Sequence, residues 1–107
     1  MGLAIAQMRV MYLTAYRLDL EYKEHLVAEA KMNLSKTVSD LLNVGSDLDS
    51  DDPLVKKLEA RKERLHIMEK ELDLQMQHYK EKIQMINTEL ESCEQMLEKN
   101  IERSFKY

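Results

Sequence analysis

Two ladders of apolar residues, each stepping by seven, dominate this chain of 107 residues. The first is Ala6, Leu13, Leu20, Val27, Leu34 and Leu41; the second is Leu58, Leu65, Leu72, Tyr79, Ile86 and Cys93. A seven-residue step is two turns of a coiled-coil helix, so each ladder marks one face of a long helix. If the chain folds back between them, Ala6 faces Cys93, Leu13 faces Ile86 and Leu20 faces Tyr79. Val27 then faces Leu72, Leu34 faces Leu65 and Leu41 faces Leu58. The residue numbers of every pair add up to 99, so one register satisfies all six. That agreement predicts an all-α fold, an antiparallel two-helix hairpin of coiled-coil type.

Punctuation supports the same plan. The chain has two glycines and one proline, which leaves room for few turns. The only dense cluster of turn residues is GSDLDSDDP, residues 45–53. Gly45 can adopt the left-handed backbone that ends a helix, and Asp52 followed by Pro53 reads as an N-cap and first helical residue. The expected organisation is one domain, 1–107, with a helix over 3–44, an acidic turn over 45–52 and a helix over 53–103. Further seam residues are Val10, Tyr16, Ala30 and Val38 on the first helix. On the second they are Met68, Met76, Ile83, Leu90 and Leu97.

Charge removes several functional classes. Lys and Arg number 16 against 20 Asp and Glu, a net charge of −4. The excess comes from Asp47, Asp49, Asp51 and Asp52 in the turn, and no basic footprint for nucleic acid or anionic lipid exists. Cys93 is the only cysteine, so the chain holds no internal disulfide and no cysteine metal cluster. Asp47, Asp49 and Asp51 have the alternation that opens a calcium loop. Asp52 stands where its glycine belongs and Leu58 where its bidentate glutamate belongs. A solvated turn that caps the second helix fits those residues better, and the calcium reading stays open. Glu63 and His66 have a di-metal spacing but point away from the ladder, and His25 between Glu21 and Glu29 reads as a surface cluster. With no phosphate loop, no nucleophile elbow and no base beside Cys93, a non-enzyme without cofactor or metal is expected.

The opening stretch LAIAQMRVMYLTAY, residues 3–16, holds eleven apolar or tyrosine residues in fourteen. A secretory signal is not expected, because a basic start is missing and Gln7 and Arg9 interrupt the run. A membrane span, which takes about 20 apolar residues, is not expected either. Leu3, Ile5, Met8, Val10, Met11, Tyr12, Leu13 and Tyr16 go round the whole helix, and a helix apolar all round is buried all round. One antiparallel neighbour covers one side only, so the rest predicts a contact between copies. In the common register Lys99 to Tyr107 overhang the start of the first helix, adding Met96, Ile101 and Phe105 to that contact. A sticky, partly disordered terminus is the plainer alternative, and a helix lying on a membrane surface is a weaker one, since no Lys/Arg stripe flanks the apolar side.

Two rows of like charge suggest a further contact. Lys57, Arg61 and Arg64 form a basic row near the start of the second helix; Glu91, Glu94, Glu98 and Glu102 form an acidic row near its end. Like charges at helical spacing repel, and each row would gain from an opposite one. Head-to-tail stacking would supply that pairing and propagate into fibres or rings. Two solvated faces are the plainer reading.

Residues Met1–Leu3, Gln7 with Arg9, Leu13–Thr14 and Asp19–Tyr22 resemble the opening of a family of short uncharacterised bacterial proteins. The likeness spans the first third of the chain and implies no activity. The whole plan, with its DSDDP turn at 49–53 and a helical end NIERSFKY, resembles type III secretion needle subunits. Those are small helical hairpins that polymerise head to tail and are exported without a cleaved signal. The usual Asn-Pro-Ser-Asp-Pro turn is missing here, and this chain is longer and more charged. The resemblance implies a self-assembling structural subunit, a homo-oligomer or helical polymer served by secretion machinery. The alternative is a cytoplasmic coiled-coil adaptor or export chaperone that offers its apolar N-terminal helix to another protein. Accordingly the expected location is either outside the cell, reached without a cleaved signal, or the bacterial cytoplasm.

Overall fold

The computed structural model is an all-α hairpin of two helices, α1 from Gly2–Gly45 and α2 from Pro53–Phe105. The structure describes residues 2–45 and 52–105, with the side chains of Ser104 and Phe105 left aside. The turn residues 46–51, and with them the calcium expectation for Asp47, Asp49 and Asp51, lie outside the described residues. So does the Phe105 side chain.

The entry to α2 is the N-cap that the sequence implies. The Leu54 amide donates to the Asp52 carboxylate at 3.0 Å, and the Val55 amide donates to the Asp52 carbonyl at 3.0 Å. Two amides that a helix start would leave unpaired are satisfied, and Pro53 occupies the first helical position, where no amide is needed. The exit from α1 differs from the expectation. Gly45 is the last residue of the helix itself, and no described residue has a positive φ. Helical geometry therefore continues through Gly45, and no left-handed cap falls on it.

The hairpin divides into two compact units. One joins α1 up to Glu24 with α2 from His78 onward; the other is His25–Gln77. In the first, Leu13, Leu20, Ile86, Leu90 and Cys93 form a buried cluster, with Val10, Tyr79 and Ile83 packed against it. Cross-helix contacts there fall along α2 as they rise along α1. Gly2 lies beside Asn100, Arg9 meets Glu89 at 3.3 Å, and Arg17 meets Asn87 at 3.1 Å. That order is antiparallel, and residues 101–105 extend past Gly2. In the second unit Val27, Leu34 and Val38 are buried, and Lys31 pairs with Asp73 across the helices. An open groove of about 450 Å³ runs there between Ala30, Leu34, Leu65, Met68 and Leu72.

All twelve ladder residues are buried or half-buried. The supporting seam positions divide according to their offset from a ladder residue. Val10, Val38, Met76, Ile83 and Leu90 precede a ladder member by three, and each is buried or half-buried. Tyr16, Ala30 and Met68 precede one by four, and all three are exposed. A coiled-coil seam advances by alternating steps of three and four, so the three-before residue joins the ladder while the four-before residue flanks it. The true seam positions near the exposed three are Arg17, Lys31 and Glu69, all half-buried; Glu24 and Lys62 occupy the same row. Their apolar stems can lie along the seam while their charged ends reach water.

Candidate interaction surface

Because α1 gives Leu3, Ala6, Val10, Leu13, Arg17 and Leu20 to the seam, the residues on its opposite side have no partner element among the described residues. Along the first unit that side carries Ala4, Met8, Met11, Ala15, Leu18 and Tyr22, with Ile5, Tyr12 and Asp19 beside them. All nine are exposed. Met8 and Met11 are 70% and 72% open to solvent, as exposed as surface lysines commonly are. Asp19 is the only charge among the nine. The spacing of the central six is four, three, four, three, four, which is a second coiled-coil stripe on the far side of the same helix.

The flank of this face is held by short polar contacts. Tyr12 stacks on Tyr16 with ring centroids 6.3 Å apart and planes within 5°. Asp19 and Lys23 pair one turn apart at 2.9 Å. The hydrogen bond and charge of Asp19 raise the Lys23 pKa above its ordinary value. The Thr14 hydroxyl donates to the Val10 carbonyl at 2.7 Å, which removes a polar group from the side of the helix. Arg17 is the incompletely satisfied member. Its Nη1 donates to Asn87, but its buried Nε stands 3.8 Å from the Glu21 carboxylate, within reach of ion pairing and too far for a hydrogen bond.

The structure separates the residues that the sequence groups into one contact. Ile5, Met8, Met11 and Tyr12 lie on the open face. Leu3 and Val10 do not: both are half-buried on the seam, and Val10 packs against the buried cluster of its own chain. Met96 and Ile101 are exposed on α2. Sequence reasoning missed Ala4, Ala15, Leu18 and Tyr22, whose signal was the continued four-three spacing beyond residue 16.

Lys57, Arg61 and Arg64 are exposed on α2 in the second unit. Glu91, Glu94, Glu98 and Glu102 are exposed on α2 in the first. Along that stretch Met85, Met96 and Ile101 are the exposed large apolar residues among the described side chains, scattered among charges, whereas the contiguous apolar face described above lies on α1. Of the histidines, His25 meets Glu29 at 3.2 Å, and His66 meets Glu69 at 3.6 Å, a different carboxylate from the Glu63 that the spacing suggested. No group of three or more metal-binding side chains converges among the described residues, and none of their helices is long and apolar enough to cross a membrane. No protein-family model matches the chain, and neither a curated protein nor a solved structure is significantly similar to it.

Proposed function

We propose that this protein is a structural subunit that associates with copies of itself through the outer face of α1. One observation carries the reading. Ile5, Met8, Met11, Tyr12, Leu18 and Tyr22 stand exposed together on one side of a helix whose other side is already packed. Contiguous exposed apolar patches on monomeric proteins are rarely larger than about 300–600 Å², and larger ones mark interaction sites. The side chains of the surface are thioethers, aliphatics and phenols, with one carboxylate, Asp19, held in an ion pair with Lys23.

An exported, needle-like filament is the finer form of this reading. It requires a second contact besides the α1 face, and the exposed Met96 and Ile101 on α2 supply candidate residues. The rows of Lys57, Arg61, Arg64 and of Glu91, Glu94, Glu98, Glu102 would add charge pairing between copies.

Sedimentation velocity over a hundredfold range of concentration tests the proposal. The expected result is mass that rises with concentration, with fibres or rings in negative stain if the second contact operates. Met11→Glu places a charge on the exposed face without touching the seam. Its helical circular dichroism should match the parent, and its association should be lost. A parent protein that stays a single monomeric species throughout would overturn the reading and leave the adaptor role in its place.

A further inference from the structure

The face on α1 has a property that a merely sticky surface lacks: it fits itself when reversed. The stripe Ala4, Met8, Met11, Ala15, Leu18, Tyr22 reads with the same four-three-four-three-four spacing from either end. Turn one copy end for end and Ala4 meets Tyr22, Met8 meets Leu18, and Met11 meets Ala15. Each alanine then faces a large side chain, and the middling pair face each other. Layers that oppose large with small residues fill space at native density. Parallel pairing in register does the opposite. It sets alanine on alanine twice, leaving voids, and it sets Tyr22 on Tyr22.

Charge is compatible with the reversed pairing. The reversed arrangement sends the two acidic ends to opposite ends of the contact and places the amide of Gln7 beside Glu21 of the other copy. Area is also sufficient. Six exposed large side chains offering roughly 100 Å² each, plus the two alanines, approach the ~800 Å² per partner of a standard stable interface.

We infer that the occupant of this face is a second copy of the chain, with residues 4–22 of the two α1 helices packed antiparallel about a two-fold axis between the Met11 and Ala15 layers. A pair of hairpins becomes a four-helix assembly, closed across this contact as isologous interfaces are. The inference rests on the self-association proposed above and specifies its partner and geometry.

Two measurements on the full chain test it. In a Cys93→Ala background, Met8→Cys and Leu18→Cys chains are mixed and linked with a short bismaleimide. The expected product is the mixed dimer, with each single variant linking poorly to itself. Self-linked Met8→Cys as the main product would mean parallel pairing and overturn the geometry. Association that persists with no link between these positions would place the contact elsewhere and also overturn it, while the self-association reading would survive. A protein that stays monomeric overturns both.

The second measurement uses Ala15→Phe. On an unspecific apolar patch a larger apolar residue strengthens association. In the reversed packing it collides with the Met11 layer, and the dimer dissociation constant should rise at least tenfold. The exposed position keeps the monomer's helical content unchanged. A dissociation constant that falls or holds would overturn the layered packing.

Discussion

The two units of this hairpin share one seven-residue frame and close it to different degrees. The unit containing the termini buries apolar side chains from both helices: Leu13 and Leu20 from α1, and Ile86, Leu90 and Cys93 from α2. The unit of residues 25–77 buries Val27, Leu34 and Val38 from α1, whereas Leu58, Leu65 and Leu72 of α2 stay half-exposed. The second row of α2 explains the difference. Toward the C-terminus it runs Ile83, Leu90, Leu97; nearer the turn it runs Lys62, Glu69, Met76. A lysine and a glutamate need water at their tips, so the helices cannot seal over them; on the other flank of the ladder Met68, Glu71 and Gln75 leave a groove open beside Leu65. Periodicity alone fixes where a helix runs; the chemistry of its second row decides how tightly it shuts.

That contrast can be broken by substitution, with all variants compared at one protein concentration because association would shift apparent stability. Leu20→Ala, at a site only 2% exposed, should cost about 3 kcal/mol in urea unfolding followed by circular dichroism. Leu65→Ala, on the open groove, should cost about 1 kcal/mol, because its cavity is already partly solvated. Equal losses would mean that the two units close alike. Arg17→Leu should raise stability by about 1 kcal/mol: it replaces a half-buried charge whose Nε lacks a hydrogen bond with an apolar seam residue, and the exposed Asn87 can turn to water. Gly45→Ala should add about 0.5–1 kcal/mol, since the backbone there is helical and a methyl group at that position would meet only open space. A loss at Gly45 would restore the left-handed cap. The smallest effect belongs to Asp73→Asn. Its ion pair with Lys31 is largely exposed, so the loss should be under about 0.5 kcal/mol and should vanish in high salt.

The ladders themselves are readable in the sequence. Leucines at fixed sevenfold spacing, and one register shared by six pairs, leave the hairpin few alternatives, and Asp52–Pro53 announces the start of α2. The second row is harder, because Arg17, Glu24 and Lys31 look like solvent-facing residues. Only their position three residues before Leu20, Val27 and Leu34 places them on the seam. Tyr16, Ala30 and Met68 mislead in the opposite sense, being apolar but four residues before a ladder member. The outer face is half legible for a related reason. Charges crowd in at Arg17, Asp19 and Glu21, which hides the continuation of the stripe to Leu18 and Tyr22, although Arg17 lies on the seam and Glu21 only at the edge of the stripe. Gly45 is easily misjudged because composition says what a glycine permits, and its neighbours decide what it adopts.

The lone thiol on the inner ladder turns the molecule into its own stopwatch. Cys93 is 8% exposed within the cluster of Leu13 and Leu20, and the chain has no other cysteine. A thiol-blocking reagent added to the unmodified protein can react only as fast as that end of the hairpin opens. At saturating reagent, where reaction outpaces reclosing, the labelling rate reports the opening frequency of one region; at low reagent it reports the open population. Slower labelling at higher protein concentration would show that a neighbouring copy holds the end shut.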